Sequence, residues 1–540
     1  MRWIRSLLLM AGLSPLCFFL GAPQLGGKSS IRVPVSALHP AQLGKVNFPT
    51  SCSSAAAPTM EKGVALLHSF QYQQSEQTFT EAAQQDPHCA MAYWGKAMAL
   101  YHQLWDFPDA NDLRQGREDL EEARKISNIS DRESEYISAA AAFFQDNSDI
   151  SHAARTEAYS TAMEKLYRDN PKDTDAAAFY ALSLVALAER GQHDLANRKK
   201  ALAVLNPLLV SEPQHPGVAH YIIHASDTPE LASEGLIAAR MYAKIAPDSS
   251  HAIHMPSHIF TRLGLWQESI DSNIAAAASA AKATELRLAE SHYQTHAMDF
   301  LDYAYLQSGQ EAKAHSLVND LTTIPGANHW TVGDMQATLE ARNAMELHHW
   351  KEAADLEVRH IPVRDQGTTF WAKAIGAART DDAEGAKQDL QKLIEANDAQ
   401  DLYDKSMGNK VSSGEGVQRL EAEAWLAYAE NKSADALKSM RLAIEREESE
   451  HLESLAMPAR EMLGDLLLEL KQPSEALSAY QSALKTSPKR FDSLYGAARA
   501  AESAGDPKEA REYYSQLAKI VGPGADRPEL QEVKVNLAEK

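Results

Sequence analysis

The stretch Ala459–Arg490, AREMLGDLLLELKQPSEALSAYQSALKTSPKR, decides the fold of this chain. Leu463-Gly464 and Leu467 mark one helix; Ala476, Tyr480 and Ala483 mark a second, and Pro488 ends it. Small residues stand where two helices would cross and large ones fill the space between, which is the pattern of a helical hairpin. The register returns at Ala510 and Tyr514, at Ala436, Met440 and Ala443, and at Phe79, Ala82 and Pro87. One such hairpin cannot bury its apolar face, so the copies must stack.

Composition agrees. The 540 residues exceed one ordinary core. Alanine and leucine abound, β-branched runs are scarce, and Gly and Pro fall between periodic segments. The pattern resembles the tetratricopeptide repeat, whose length is 34 residues. That resemblance implies an all-α solenoid of helical hairpins, a right-handed superhelix with first helices lining a concave groove. One continuous array over 58–540 is expected. Asp365–Thr369 and Lys405–Gly416 read as loops, and two sub-arrays joined near 365–415 are the alternative. The helical patterns over 106–175 fix no register.

The N-terminus reads as an export signal over 1–27. Arg2 and Arg5 precede an apolar run from Leu7 to Leu20, shorter than a typical membrane span. A Pro/Ser-rich arm over 28–57 follows, and no other segment is expected to cross a membrane. A periplasmic or secreted protein is therefore expected. In such a compartment Cys52 and Cys89 form an even pair, and a disulfide between them would contribute about 3–4 kcal/mol. The formal charge is −21. An acidic surface repels nucleic acid, and no basic stripe interleaved with aromatics is present, so no nucleic-acid partner is expected.

Histidine is distributed unevenly. His220 and His224 recur 34 residues later as His254 and His258, and Pro213 and Pro247 keep the same interval. In tetratricopeptide domains, positions 2, 5, 9 and 12 of the first helix point into the groove. The resemblance then places His220 and His254 at position 5, His224 and His258 at position 9, and His251 at position 2. In the next hairpin His296, Asp299 and Tyr303 take positions 2, 5 and 9, and His292 lies one turn earlier. Pairs of His at i,i+4 chelate transition metals, and imidazole suits Zn and Cu. The candidate metal ligands are His220, His224, His254, His258, His296 and Asp299. The bland reading is that these imidazoles hydrogen-bond to backbone or ring a peptide groove. Pro256 complicates the second copy: either the helix starts there, leaving His251 and His254 in an approach loop, or it kinks.

Other residues carry less. Trp94, Trp105 and Trp266 read as core, His215 as an exposed loop residue, His348-His349 as solvated, and Glu445–Glu450 as a helix surface. No phosphate-cradling glycine loop, H-E-x-x-H helix, G-x-S-x-G elbow or EF-hand loop occurs.

Phe48-Pro-Thr-Ser-Cys52, Asp86-Pro-His-Cys-Ala-Met-Ala-Tyr-Trp-Gly95, His215-Pro-Gly-Val-Ala-His220 and His254-Met-Pro-Ser-His-Ile-Phe-Thr-Arg-Leu-Gly264 resemble segments of exported bacterial tetratricopeptide-repeat proteins of unassigned function. Leu66-Leu-His-Ser-Phe70 and Ser493-Leu-Tyr-Gly-Ala-Ala498 extend the likeness along the chain. It implies fold and export and transfers no reaction. Peptide-clamp grooves of this type carry Lys and Asn where this chain has histidine. The first expectation is a non-enzymatic scaffold binding a protein or peptide in its groove. The alternative is a Zn- or Cu-binding protein or metalloenzyme.

Overall fold

The computed structural model describes residues 42–540 apart from 106, 147–149, 191–194, 286–290, 325–328, 408–415, 451–454, 456 and 539–540. The expected signal segment and the first part of the arm lie outside the described residues. Residues 42–56 hold no helix. They are pinned to the body: Lys45 N–H donates to the Gln214 carbonyl (2.8 Å), and the Phe48 ring stacks on Trp94 at 5.4 Å. Cys52 and Cys89 are joined as a disulfide.

From Ala57 onward all regular structure among the described residues is helical, and consecutive helices pair as antiparallel hairpins. The chain is an all-α helical-repeat solenoid. None of the described helices is long and apolar enough to cross a membrane. The hairpin turns show why the chain folds this way. At Phe70, Gly264, Gly309, His348, Asp381, Asn431, Lys471 and Gly505 the backbone is left-handed. The residue after each donates back to a carbonyl of the first helix, for example Gln71 N–H to Leu66 O (3.0 Å), Leu265 to Phe260 (2.8 Å) and Gln472 to Leu467 (2.9 Å). This left-handed cap satisfies the orphan carbonyls of the first helix and reverses the chain. Close approach is secured by small residues. A Cβ on Gly464 or Gly496 would meet the Tyr480 ring at 2.6 or 2.4 Å, so both neighbouring helices close onto one aromatic.

Over 106–175 the register is set by helices Ala110–Lys125, Asp131–Phe143 and His152–Asp169. The first two start with capping boxes, Asp109 with Asp112 and Ser130 with Glu133. The loop expected at 365–369 is a 3₁₀ turn, Val363–Gln366, running straight into helix Gly367–Arg379. Helix Ala383–Met407 takes in the start of the second expected loop, whose residues 408–415 are not described. Among the described residues, one apolar core containing Trp371, Trp425 and Met440 runs from Ala341 to Leu466, on both sides of the expected joint. Residues 365–369 thus lead into a helix where a loop was expected.

The array also closes on itself. Trp266 Nε1 donates to the Lys489 carbonyl (2.9 Å), and Gly522 N–H to that of Ser308 (2.8 Å). Fully buried Arg490 binds Glu346 (2.8 Å), Glu461 (2.6 Å) and the Tyr303 hydroxyl (2.6 Å). C-terminal repeats thus dock on the turns of the central hairpins. At the other end Tyr293 O–H donates to the Phe70 carbonyl (2.9 Å). The first hairpin therefore occupies the space into which the histidine-bearing helices point.

Candidate metal centre

Four chain segments supply the site. Helix Pro216–Ser226 carries His220 and His224. Pro216 suits a first helical turn, where its missing N–H has no partner to lose. Gly217 lets this helix approach the first hairpin, since a Cβ there would meet His68 Nδ1 at 2.3 Å. Helix Ser250–His254 carries His251 and His254, and helix Pro256–Arg262 carries His258. Met255 between them is helical (φ −51°, ψ −34°) and its N–H reaches the His251 carbonyl (2.9 Å). Pro256 therefore kinks one path and does not detach the histidines before it. Helix His292–Gln307 supplies His296.

The imidazoles sort into two triads. His220, His224 and His251 form the first, and His254, His258 and His296 the second; within each, one nitrogen per ring lies within 4.8 Å of the others. In the first, His220 Nε2 stands 3.0 Å from His224 Nε2 and 3.1 Å from His251 Nε2. In the second, His254 and His258 present Nε2 to Nε2 at 3.1 Å. The His254 and His296 ring centroids are 4.5 Å apart. Two imidazoles on one tetrahedral ion with bonds of about 2.0–2.1 Å stand about 3.3 Å apart, close to these separations.

The opposite ring nitrogens are held. His220 Nδ1 lies 2.6 Å from the His68 carbonyl, which can only accept. His254 Nδ1 lies 2.7 Å from Asn273 Oδ1, and Asn273 Nδ2 donates to the Ser269 carbonyl (2.9 Å), which fixes the amide's orientation. His258 Nδ1 lies 2.8 Å from Asp227 Oδ2, whose other oxygen accepts from Arg262 Nε (2.8 Å). All three rings thus donate through Nδ1, which leaves Nε2 without a proton when neutral. In the His254–His258 pair, two neutral rings would face each other with bare lone pairs. Only an electron-pair acceptor between them, a proton or a metal, makes that arrangement favourable.

A proton on His254 is disfavoured. Burial pushes His254 and His224 well below the ordinary histidine range, and neighbouring imidazoles push further. Burial likewise takes His220 down to about 3 and His296 to about 4. Burial alone would raise Asp227, but Arg262 and His258 outweigh it and hold the carboxyl ionised. Imidazoles oriented by a carbonyl, an amide and a carboxylate are the arrangement in which metal-ligating histidines are found.

Aromatic rings wall the first triad. Phe70 lies 4.4 Å from the His220 ring and 5.6 Å from His251, and Trp105 5.6 Å from His224. Beyond this wall lies a cavity of about 280 Å³ lined by Phe70, Tyr72, His102, Trp105 and Tyr293. Behind the triad, His68 and His215 flank Asp175 at 2.9 and 3.3 Å. This third cluster is internally satisfied: His68 Nδ1 meets the Tyr221 hydroxyl, and His215 Nδ1 accepts from Val218 N–H.

Several expectations are corrected. Asp299 joins neither triad, because Arg342 takes its carboxylate at 2.7 Å. His251, expected in the groove but not as a ligand, completes the first triad. Tyr303 is buried against Trp266 and bonded by Arg490. The expected groove position of the histidines is an interior one: His220, His224, His251 and His254 are buried, under the first hairpin and its neighbours. His292 is exposed and belongs to neither triad. His215 is buried at a helix N-cap, not loop-exposed. Trp105 is 42% exposed and not core. His348 and His349 are partly buried, with His349 beside Glu311. The orienting groups Asp227, Asn273 and the His68 carbonyl went unseen; Asp227, one residue beyond a His-bearing helix, carried the one readable signal.

Residues 60–126 and 461–525 match a family model described as Tetratricopeptide repeat. No curated protein matches the chain. Among solved structures it is similar to a human IFIT1 dimer with m7Gppp-AAAA, at 14% identity and TM-score 0.35, over 84% of this chain and 94% of that one. It is also similar to a tetratricopeptide repeat protein from Parabacteroides merdae, at 12% identity and TM-score 0.30, over 53% and 97%. The Cut9–Hcn1 hetero-tetramer of APC/C matches at 10% identity and TM-score 0.31, over 90% of each chain. At these scores the likenesses carry no functional argument. The expected exclusion of nucleic acid gains no support from them.

Proposed function

We propose that this helical-repeat protein binds two transition-metal ions, one in each histidine triad, with zinc and copper as the ions its donors suit. The observation that carries this is the His254–His258 contact: two Nε2 atoms 3.1 Å apart, each ring's Nδ1 facing an acceptor, with His296 beside them. Three ligands per ion leave a coordination position open, which is the pattern of a reactive rather than a purely structural site. The peptide-groove reading is less favoured, because four of the histidines it relied on, His220, His224, His251 and His254, are covered from within the chain. The Cys52–Cys89 disulfide supports an exported, periplasmic or secreted setting.

Metal analysis of protein refilled with Zn or Cu after chelation tests the reading. Two ions per chain are expected, held more tightly than about 1 µM, a free energy of roughly −8 kcal/mol. His254→Gln with His258→Gln should leave one. A folded wild-type protein that retains no metal would contradict the proposal.

A further inference from the structure

We infer that the two triads form one coupled dicopper centre that binds dioxygen between its ions. This rests on the two-ion reading above and adds to it the metal, the coupling and the ligand.

Proximity comes first. The triads are not separate pockets. His251 and His254 lie three residues apart on one short helix, yet serve different triads. Their ring centroids are 6.4 Å apart, and those of His224 and His258, again from opposite triads, 6.5 Å. With each ion about 2.0–2.1 Å from its nitrogens, both fall within one small interior volume, their open positions available to a shared small ligand.

Charge selects the metal. Neither triad contains a carboxylate. The nearest acids are already balanced, Asp227 by Arg262 and Asp299 by Arg342. Two divalent ions would bring four uncompensated positive charges into the interior, and the cost of burying an ion grows with the square of its charge. Two cuprous ions bring half the charge, and cuprous copper accepts three nitrogen donors without further ligands. Imidazole also suits the cupric state, so the same six side chains serve both.

The step balances without another reactant. Each Cu(I) gives one electron; dioxygen takes both, is reduced to the peroxide level, and is held between two Cu(II). No proton moves. The charge of the pair plus its ligand is +2 before and after, so the buried site meets no new charge on binding. The surroundings suit an uncharged diatomic. Phe70 and Trp105 separate the first triad from the neighbouring cavity, a wall that impedes water and ions more than a small apolar gas.

Anaerobic titration of the metal-free full chain with Cu(I), followed by oxygenation, tests this. Two copper per chain are expected. On oxygen a new near-ultraviolet absorption should appear while the cupric resonance stays silent, because paired spins cancel. His296→Gln, checked for fold by circular dichroism, should lose that absorption and show an ordinary cupric signal. Two bound coppers whose cupric spins count as isolated, or a spectrum indifferent to oxygen, would overturn the coupled centre and leave the two-ion reading intact. Uptake of no copper, with two zinc ions bound, would overturn it equally. Uptake of no metal of any kind overturns both.

Discussion

Asp227 shows how single residues set the candidate site. Its carboxylate accepts from His258 Nδ1 on one oxygen and from Arg262 Nε on the other, and so turns His258 Nε2 toward His254. Asp227→Asn should keep the fold and weaken metal binding by about 10–100-fold, the usual effect of losing such an orienting partner. Competition titration against a chelator measures this. A distant residue controls pH response instead. Burial raises Glu447 from 4.5 to about 7, although the Ala459 N–H it accepts acts against this. The folded chain then holds a proton that the unfolded chain has lost, so stability falls as pH rises from about 4.5 to 7. With each pH unit in that window costing up to about 1.4 kcal/mol, the loss between pH 5 and pH 8 is roughly 2–3 kcal/mol. Urea melts at pH 5 and pH 8 should show that difference in the wild type and lose most of it in Glu447→Gln.

Elements are joined by turns that this chain uses twice over. The left-handed turn position is glycine at 264, 309 and 505, but phenylalanine at 70. A non-glycine residue there costs about 1 kcal/mol. Here the ring it carries covers the first triad. Phe70→Ala should destabilise by about 3–5 kcal/mol through the lost packing. Phe70→Gly, although it removes one atom more, should be about 1 kcal/mol more stable than the alanine variant, because glycine adopts this backbone freely. Denaturant midpoints of the two variants decide it. Much of this scale was legible in the sequence. Tyr480 between Gly464 and Gly496, and the 34-residue return of the His pairs, follow from local periodicity. His251 was expected on the groove-facing side, and its contact with His220 depends on how the chain passes Pro256. Asp299 and Tyr303 occupied the expected register and were claimed by Arg342 and Arg490, partners that helical spacing does not reveal.

At the scale of the molecule, closure converts an open array into an enclosed one. Arg490, wholly buried, ties residues more than a hundred positions apart through Glu346 and Tyr303. Such contacts lie beyond periodicity, which is why the sequence suggested a groove where the structure has an interior. Arg490→Ala would leave Glu346 and Glu461 buried without their counter-charge and should cost about 3–5 kcal/mol. Adding Glu346→Gln and Glu461→Gln should restore part of that loss, read as a rise in the urea midpoint. Closure also explains why neutral, desolvated imidazoles can be maintained: the first hairpin, through His68 and Phe70, covers them. The central claim is that this enclosed interior holds two ions. Anomalous X-ray diffraction from crystals of the metal-loaded chain, recorded at the absorption edge of the ion supplied, tests it most directly. Two peaks are predicted, each about 2.0–2.1 Å from the Nε2 atoms of His220 and His254 respectively and of their triad partners. A map with no peak at either triad, in crystals grown with excess metal, would contradict the account.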